Sequence, residues 1–141
     1  MTITTCVFDA YGTLFDVAAA ARQAAEAPGQ TALAAVWQDL ALHWRIKQLQ
    51  YTWLRAITGE HVPFWDVTKD GLDWAMEASG LDDPVLRETL LALYWELPAY
   101  PEVPAMLAEG GPHGRRGTVA VVGHCLDDDS HTAGTIALIA D

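Results

Sequence analysis

Cations are scarce in this chain of 141 residues: 8 Lys plus Arg stand against 19 Asp plus Glu, for a net charge of −11. That balance argues against nucleic acid and anionic membrane surfaces as partners, because both carry dense negative charge. A small anionic substrate is not excluded, since it responds to the local charge of its pocket. Cysteine is nearly lacking as well. Cys6 and Cys125 form neither a disulfide framework nor a metal-ligand spacing. No apolar run approaches the roughly 20 residues that a membrane span requires. No basic segment precedes the first apolar one, so no export signal is expected and cytoplasmic residence is the default.

What is present suits one globular domain. Hydrophobic residues make up 51% of the chain and charged ones 19%, a balance that buries a core rather than sustaining disorder. Ile3 to Phe8 is a short β-branched and apolar run that reads as a buried strand ending at Asp9. Asp16 is placed to cap an Ala-rich helix from Val17 to Ala27, which Pro28-Gly29 stops. A long helix is expected from Thr31 to about Thr58, with Leu33, Trp37, Leu40 and Trp44, then Leu49, Trp53 and Ile57, as its apolar positions. Two more amphipathic helices are expected, over Val67 to Ser79 and Pro84 to Glu96, with Pro98 to Pro104 as punctuation. From Glu109 the texture changes to a Gly- and Arg-rich piece, followed by a second strand candidate, Thr118 to Val122. An acidic stretch at Asp127-Asp128-Asp129 and a weak apolar run from Thr135 to Ala140 complete the chain as given.

Chemistry concentrates in one place. In VFDAYGTLFD, Asp9 follows an apolar strand and precedes the turn-prone Tyr11-Gly12-Thr13. The carboxyl end of a buried strand is where α/β sheets place ligands and reactive groups. From pattern alone, a solvated loop aspartate and a reactive one both remain open. The same holds for Arg45, which spacing alone reads as a helical cation lying over Trp44 or paired with an acid.

The full string Asp-x-Tyr-Gly-Thr-Leu-Phe after an apolar strand resembles the first motif of the haloacid dehalogenase superfamily, whose aspartate is a nucleophile. Phosphatases of that group carry Asp-x-Asp and use Mg²⁺. There the second carboxylate protonates the leaving group. Tyr11 occupies its place here and offers no carboxylate, which argues for carbon–halogen displacement, because a halide departs as a stable anion. A second block, Trp44 to Arg55 (WRIKQLQYTWLR), resembles the cap helix of the L-2-haloacid dehalogenases. Together the two blocks keep register to about residue 108.

The resemblance implies a role for each matching residue. Asp9 becomes the nucleophile, Thr13 its orienting hydroxyl, and Arg45 the group that binds the substrate and the departing halide. Tyr11, Leu49 and Phe64 line the substrate pocket. Ile46 stands where relatives carry a polar side chain. No metal and no cofactor are implied, and a homodimer is expected. Lys47 and Arg55 read as solvated, and the Trp37, Trp44 and Trp53 stripe as core or interface packing.

Past residue 108 the pattern departs. The family carries a Ser-Asn motif after its second strand and then a lysine; here the strand is followed by Gly123-His124-Cys125, and no lysine follows Lys69. His124, His131 and the three aspartates hold donors suited to a divalent ion, but their spacing fits no motif. The expectation is therefore an α/β chain with an incomplete Rossmann-like core, residues 1–16 and about 99–141, and a helical cap over 17–98. Its expected function is hydrolysis of small L-2-haloacids to D-2-hydroxyacids through an aspartyl ester. The alternative is a truncated or frameshifted remnant, non-catalytic and at most dimerising.

Overall fold

The computed structural model describes residues 5–108 and 118–122, with side chains from Phe8 to Leu107. The Gly/Arg-rich piece, the His124 to His131 stretch and the weak apolar run at 135–140 lie outside the described residues. Among the described residues the elements run in the order β1 (Thr5–Asp9), α1 (Ala19–Ala25), α2 (Thr31–Thr58), α3 (Phe64–Ala78), α4 (Pro84–Trp95), α5 (Val103–Ala108) and β2 (Thr118–Val122). They fall into two compact units, one of Met1–Asp16 with Pro98–Asp141 and one of Val17–Leu97.

In the first unit β1 and β2 pair in parallel, with register from Thr5 opposite Thr118 to Asp9 opposite Val122. Parallel neighbours need a long crossover, and here the whole helical unit lies in the chain between them. Leu14, Phe15 and Val103 are buried. The Tyr100 amide donates to the Leu14 carbonyl and the Asp16 amide to that of Pro98, so the two chain segments of this unit are tied together by backbone.

The helical unit is organised by α2. Leu33, Leu40, Trp44 and Gln48 are its buried residues, a stripe of seven- and four-residue steps on one face. α3 buries Val67, Thr68, Gly71, Leu72, Ala75 and Met76, and α4 buries Leu86, Leu90, Leu91 and Tyr94. Gly71 lets α2 and α3 approach closely: a Cβ there would stand 3.3 Å from the Gln48 amide nitrogen and 3.4 Å from the Trp44 ring. No described helix is long and apolar enough to cross a membrane.

Two sequence expectations are corrected. α1 starts at Ala19 rather than Val17, so its N-cap position falls on Ala18 and not on Asp16. Trp37, Trp44 and Trp53 do not share a stripe: Trp44 is buried, whereas Trp53 is 56% exposed and Ile57 82%. The reason is angular. At about 100° per residue, the nine-residue step from Trp44 to Trp53 turns the side chain to the opposite face.

Candidate active site

Asp9 closes β1, opposite the last residue of β2, and the chain turns at once. The Ala10 carbonyl accepts from the amides of Leu14 and Phe15 at 2.9 Å, and the Gly12 amide donates to the Phe15 carbonyl at 2.9 Å. Gly12 sits at φ 89, a left-handed conformation that a side chain would strain. A Cβ there would meet nothing within 4 Å, so backbone angle rather than space requires the glycine. This tight turn folds Thr13 back over the strand end, where its Oγ1 donates to Asp9 Oδ2 at 3.0 Å. Asp9 is half-buried, and this bond restrains the orientation of its carboxylate. Tyr11 packs beside Phe15, ring centroids 6.5 Å apart.

The other four candidate residues belong to the helical unit. Arg45 is half-buried on α2 and its Nη1 donates to Gln48 Oε1 at 2.9 Å. Ile46 is 40% exposed, Leu49 half-buried, and Phe64 opens α3. The structure thus brings Asp9, Tyr11 and Thr13 together in one unit, and Arg45, Ile46, Leu49 and Phe64 are all carried by α2 and the start of α3 in the other. Lys47 and Arg55 are not simply solvated. Lys47 Nζ stands 4.0 Å from the centroid of the Trp74 ring, and Arg55 pairs with Asp70. Among the described residues, no cluster of three or more His, Cys, Asp or Glu side chains could hold a metal ion.

No family model matches the chain. Individual relatives do. The chain is 43% identical over 101 residues to (S)-2-haloacid dehalogenase 1 of Pseudomonas sp. (strain CBS-3), a match covering 71% of this chain and 42% of that protein. It is 39% identical over 108 residues to the (S)-2-haloacid dehalogenase of Xanthobacter autotrophicus, covering 75% of this chain and 40% of the relative. Its structure resembles that of the L-2-haloacid dehalogenase from Xanthobacter autotrophicus with a TM-score of 0.71 at 32% identity, covering 99% of this chain and 53% of the other. Over the matched residues the chain is a relative of the L-2-haloacid dehalogenases. It spans about two fifths of the length of these curated dehalogenases, 42% and 40%.

In the helical unit the sequence reading missed a polar cluster next to Arg45. Gln48 and Thr68 are 1% and 0% exposed. Gln48 Nε2 donates to Thr68 Oγ1 at 2.7 Å, Thr68 Oγ1 donates to the Phe64 carbonyl at 2.9 Å, and Tyr94 Oη donates to Gln48 Oε1 at 3.2 Å. Trp44 Nε1 donates to the Thr68 carbonyl at 2.9 Å. One signal was available: Gln48 continues the buried stripe from Leu40 and Trp44 at four-residue steps, and a glutamine in such a place requires partners.

Proposed function

We propose that this chain performs the chemistry of hydrolytic dehalogenation on small L-2-haloacids, with Asp9 as the nucleophile. The observation that carries the reading is the Thr13 hydroxyl bonded to the Asp9 carboxylate at the carboxyl end of a parallel strand, in a relative of these dehalogenases. In the first step an Asp9 carboxylate oxygen attacks the α-carbon from the face opposite the halogen. The carbon–oxygen bond forms, the carbon–halogen bond breaks, and the halide leaves with the bonding pair, inverting the centre. Water then attacks the Asp9 carbonyl carbon. The bond from that carbon to the ester oxygen breaks, one water proton ends on the product hydroxyl and the other is released. Asp9 is regenerated and a D-2-hydroxyacid departs. Splitting the displacement this way is covalent catalysis.

Arg45 takes the substrate carboxylate and the departing halide. A preorganised cation in that role contributes several kcal/mol, to order of magnitude. Tyr11, Ile46, Leu49 and Phe64 surround the substrate's carbon skeleton. In this reading the β1–β2 pair belongs to a Rossmann-like core and the helical unit is its cap. The enzyme works in the cytoplasm as a homodimer, without metal or cofactor.

A second reading is favoured by one sequence feature, Gly123-His124-Cys125 after β2 where the family carries Ser-Asn. There the chain is a remnant that dimerises without turning over. Intact mass spectrometry after incubation with L-2-chloropropionate, with free chloride followed in parallel, separates the two. Repeated chloride release that disappears in Asp9→Asn supports hydrolysis. One equivalent of chloride with a stable adduct on Asp9 means that only alkylation survives. Neither adduct nor chloride leaves the non-catalytic reading.

A further inference from the structure

We propose that Gln48 is a positioning residue that holds the Arg45 guanidinium ready for a small carboxylate, and that Thr68 sets the direction in which Gln48 does so. This rests on the role given to Arg45 above.

The argument follows the protons. The Thr68 hydroxyl spends its single proton on the Phe64 carbonyl, so toward Gln48 it presents only lone pairs. Gln48 must therefore turn its NH₂ group to Thr68, at 2.7 Å. Its amide oxygen is then aimed the other way, at Arg45 Nη1 and at the Tyr94 hydroxyl. Were the amide reversed, its NH₂ would face a guanidinium that has only donors. The orientation is thus dictated by a residue on α3 that does not itself bond Arg45. Trp44, packed on the Tyr94 ring at 4.6 Å and bonded to the Thr68 carbonyl, keeps α2, α3 and α4 in the register this relay needs.

An arginine side chain loses much rotational freedom when it grips a ligand, and a residue that has already restrained it reduces that cost. A glutamine does this without adding a negative charge beside the cation. A glutamate in the same place would neutralise it.

The test measures binding apart from turnover. In an Asp9→Asn chain, which cannot form the ester, the Kd for L-2-chloropropionate is read by calorimetry; KM and kcat are read in chains that retain Asp9. Gln48→Met is expected to raise Kd and KM about tenfold, with a smaller fall in kcat. Thr68→Val, which leaves Gln48 free to reverse, is expected to raise both in the same direction. Thr68→Ser keeps the lone pairs and restores the native values, which a purely structural role would not require. If Gln48→Met fails to fold, the Thr68→Val and Thr68→Ser pair decides. A lowered melting temperature with native Kd and KM in Thr68→Val overturns the proposal, as does an Asp9→Asn chain that shows no binding. Failure of the dehalogenase reading looks different: the chain releases no chloride, yet Gln48→Met still shifts Kd.

Discussion

Thr13 reaches back across a single tight turn to bond the Asp9 carboxylate, Oγ1 to Oδ2 at 3.0 Å. The turn that permits this is anchored on both sides: the Ala10 carbonyl gathers the amides of Thr13, Leu14 and Phe15, and Leu14 and Asp16 are bonded by backbone to Tyr100 and Pro98. Leu14 and Phe15, at 1% and 6% exposure, lock it into the core. In the role proposed above for Asp9, a carboxylate held this way attacks along one line, and small misplacement in such a geometry costs rate steeply.

Thr13→Val should therefore slow halide release about 10- to 100-fold, whereas Thr13→Ser, which keeps the hydroxyl, should retain most of the rate. Both substitutions fall at an exposed position, so thermal melting should hardly change. Initial rates of chloride release set beside melting temperatures check this. Equal rates in the valine and serine variants would mean the bond is a turn contact and no more.

The helical framework was largely legible in the sequence, for reasons that differ by element. α2 spans Thr31–Thr58 as its spacing predicts, and Gly59 ends it in the left-handed conformation that glycine adopts readily. β2 occupies Thr118–Val122, the β-branched run that marked it. α3 starts earlier than expected, at Phe64, because Pro63 stands just before the first helical turn, where its missing N–H costs nothing. α5 was hidden for the same reason: Pro104, read as punctuation, is the second residue of that helix, a place proline tolerates. At the site, Asp9 and Thr13 were legible because their contact is local. The contact of Gln48 with Thr68 and Tyr94 joins three helices, and no local pattern carries it.

The close crossing at Gly71 gives a packing prediction. Any side chain there starts 3.3 Å from the Gln48 amide nitrogen and 3.5 Å from the Trp44 carbonyl, both on the backbone of α2. Alanine gains helix propensity while crowding these atoms, so Gly71→Ala should be close to neutral. Gly71→Leu should push α3 off α2 and lower stability by about 1–3 kcal/mol. Denaturant midpoints measure both, and a fully stable leucine variant would refute the close approach.

A capping prediction concerns α4. Asp83 has extended backbone, φ −141 and ψ 104, and its carboxylate accepts from the amides of Val85 at 2.9 Å and Leu86 at 3.1 Å. Pro84 occupies the first helical position, which needs no donor. By contrast, α1, α2 and α3 begin at Ala18, Gln30 and Pro63 without such a bond. Asp83→Ala should cost about 0.5–2 kcal/mol, and Asp83→Asn much less, because it still accepts. Thermal melts of the two variants compare them directly.

Arg87 joins α4 to α3 by a two-pronged contact, Nε and Nη2 donating to the two oxygens of Asp73, while Nη1 donates to Glu88. The bonds from Asp73, chief among the causes, hold the Arg87 guanidinium above its already high ordinary pKa. The sign follows. A cation whose pKa rises on folding contributes stability that is present at lower pH and lost only as pH climbs through the raised value. That lies far above neutrality, so the raised Arg87 adds no pH dependence to stability near neutral pH. Its strength is limited by water, since the Asp73 side chain is 51% exposed. Asp73→Asn should therefore cost at most about 1 kcal/mol, and less as salt is raised. Unfolding midpoints at low and high ionic strength test this, and a larger loss that ignores salt would mean the two-pronged contact is shielded from solvent.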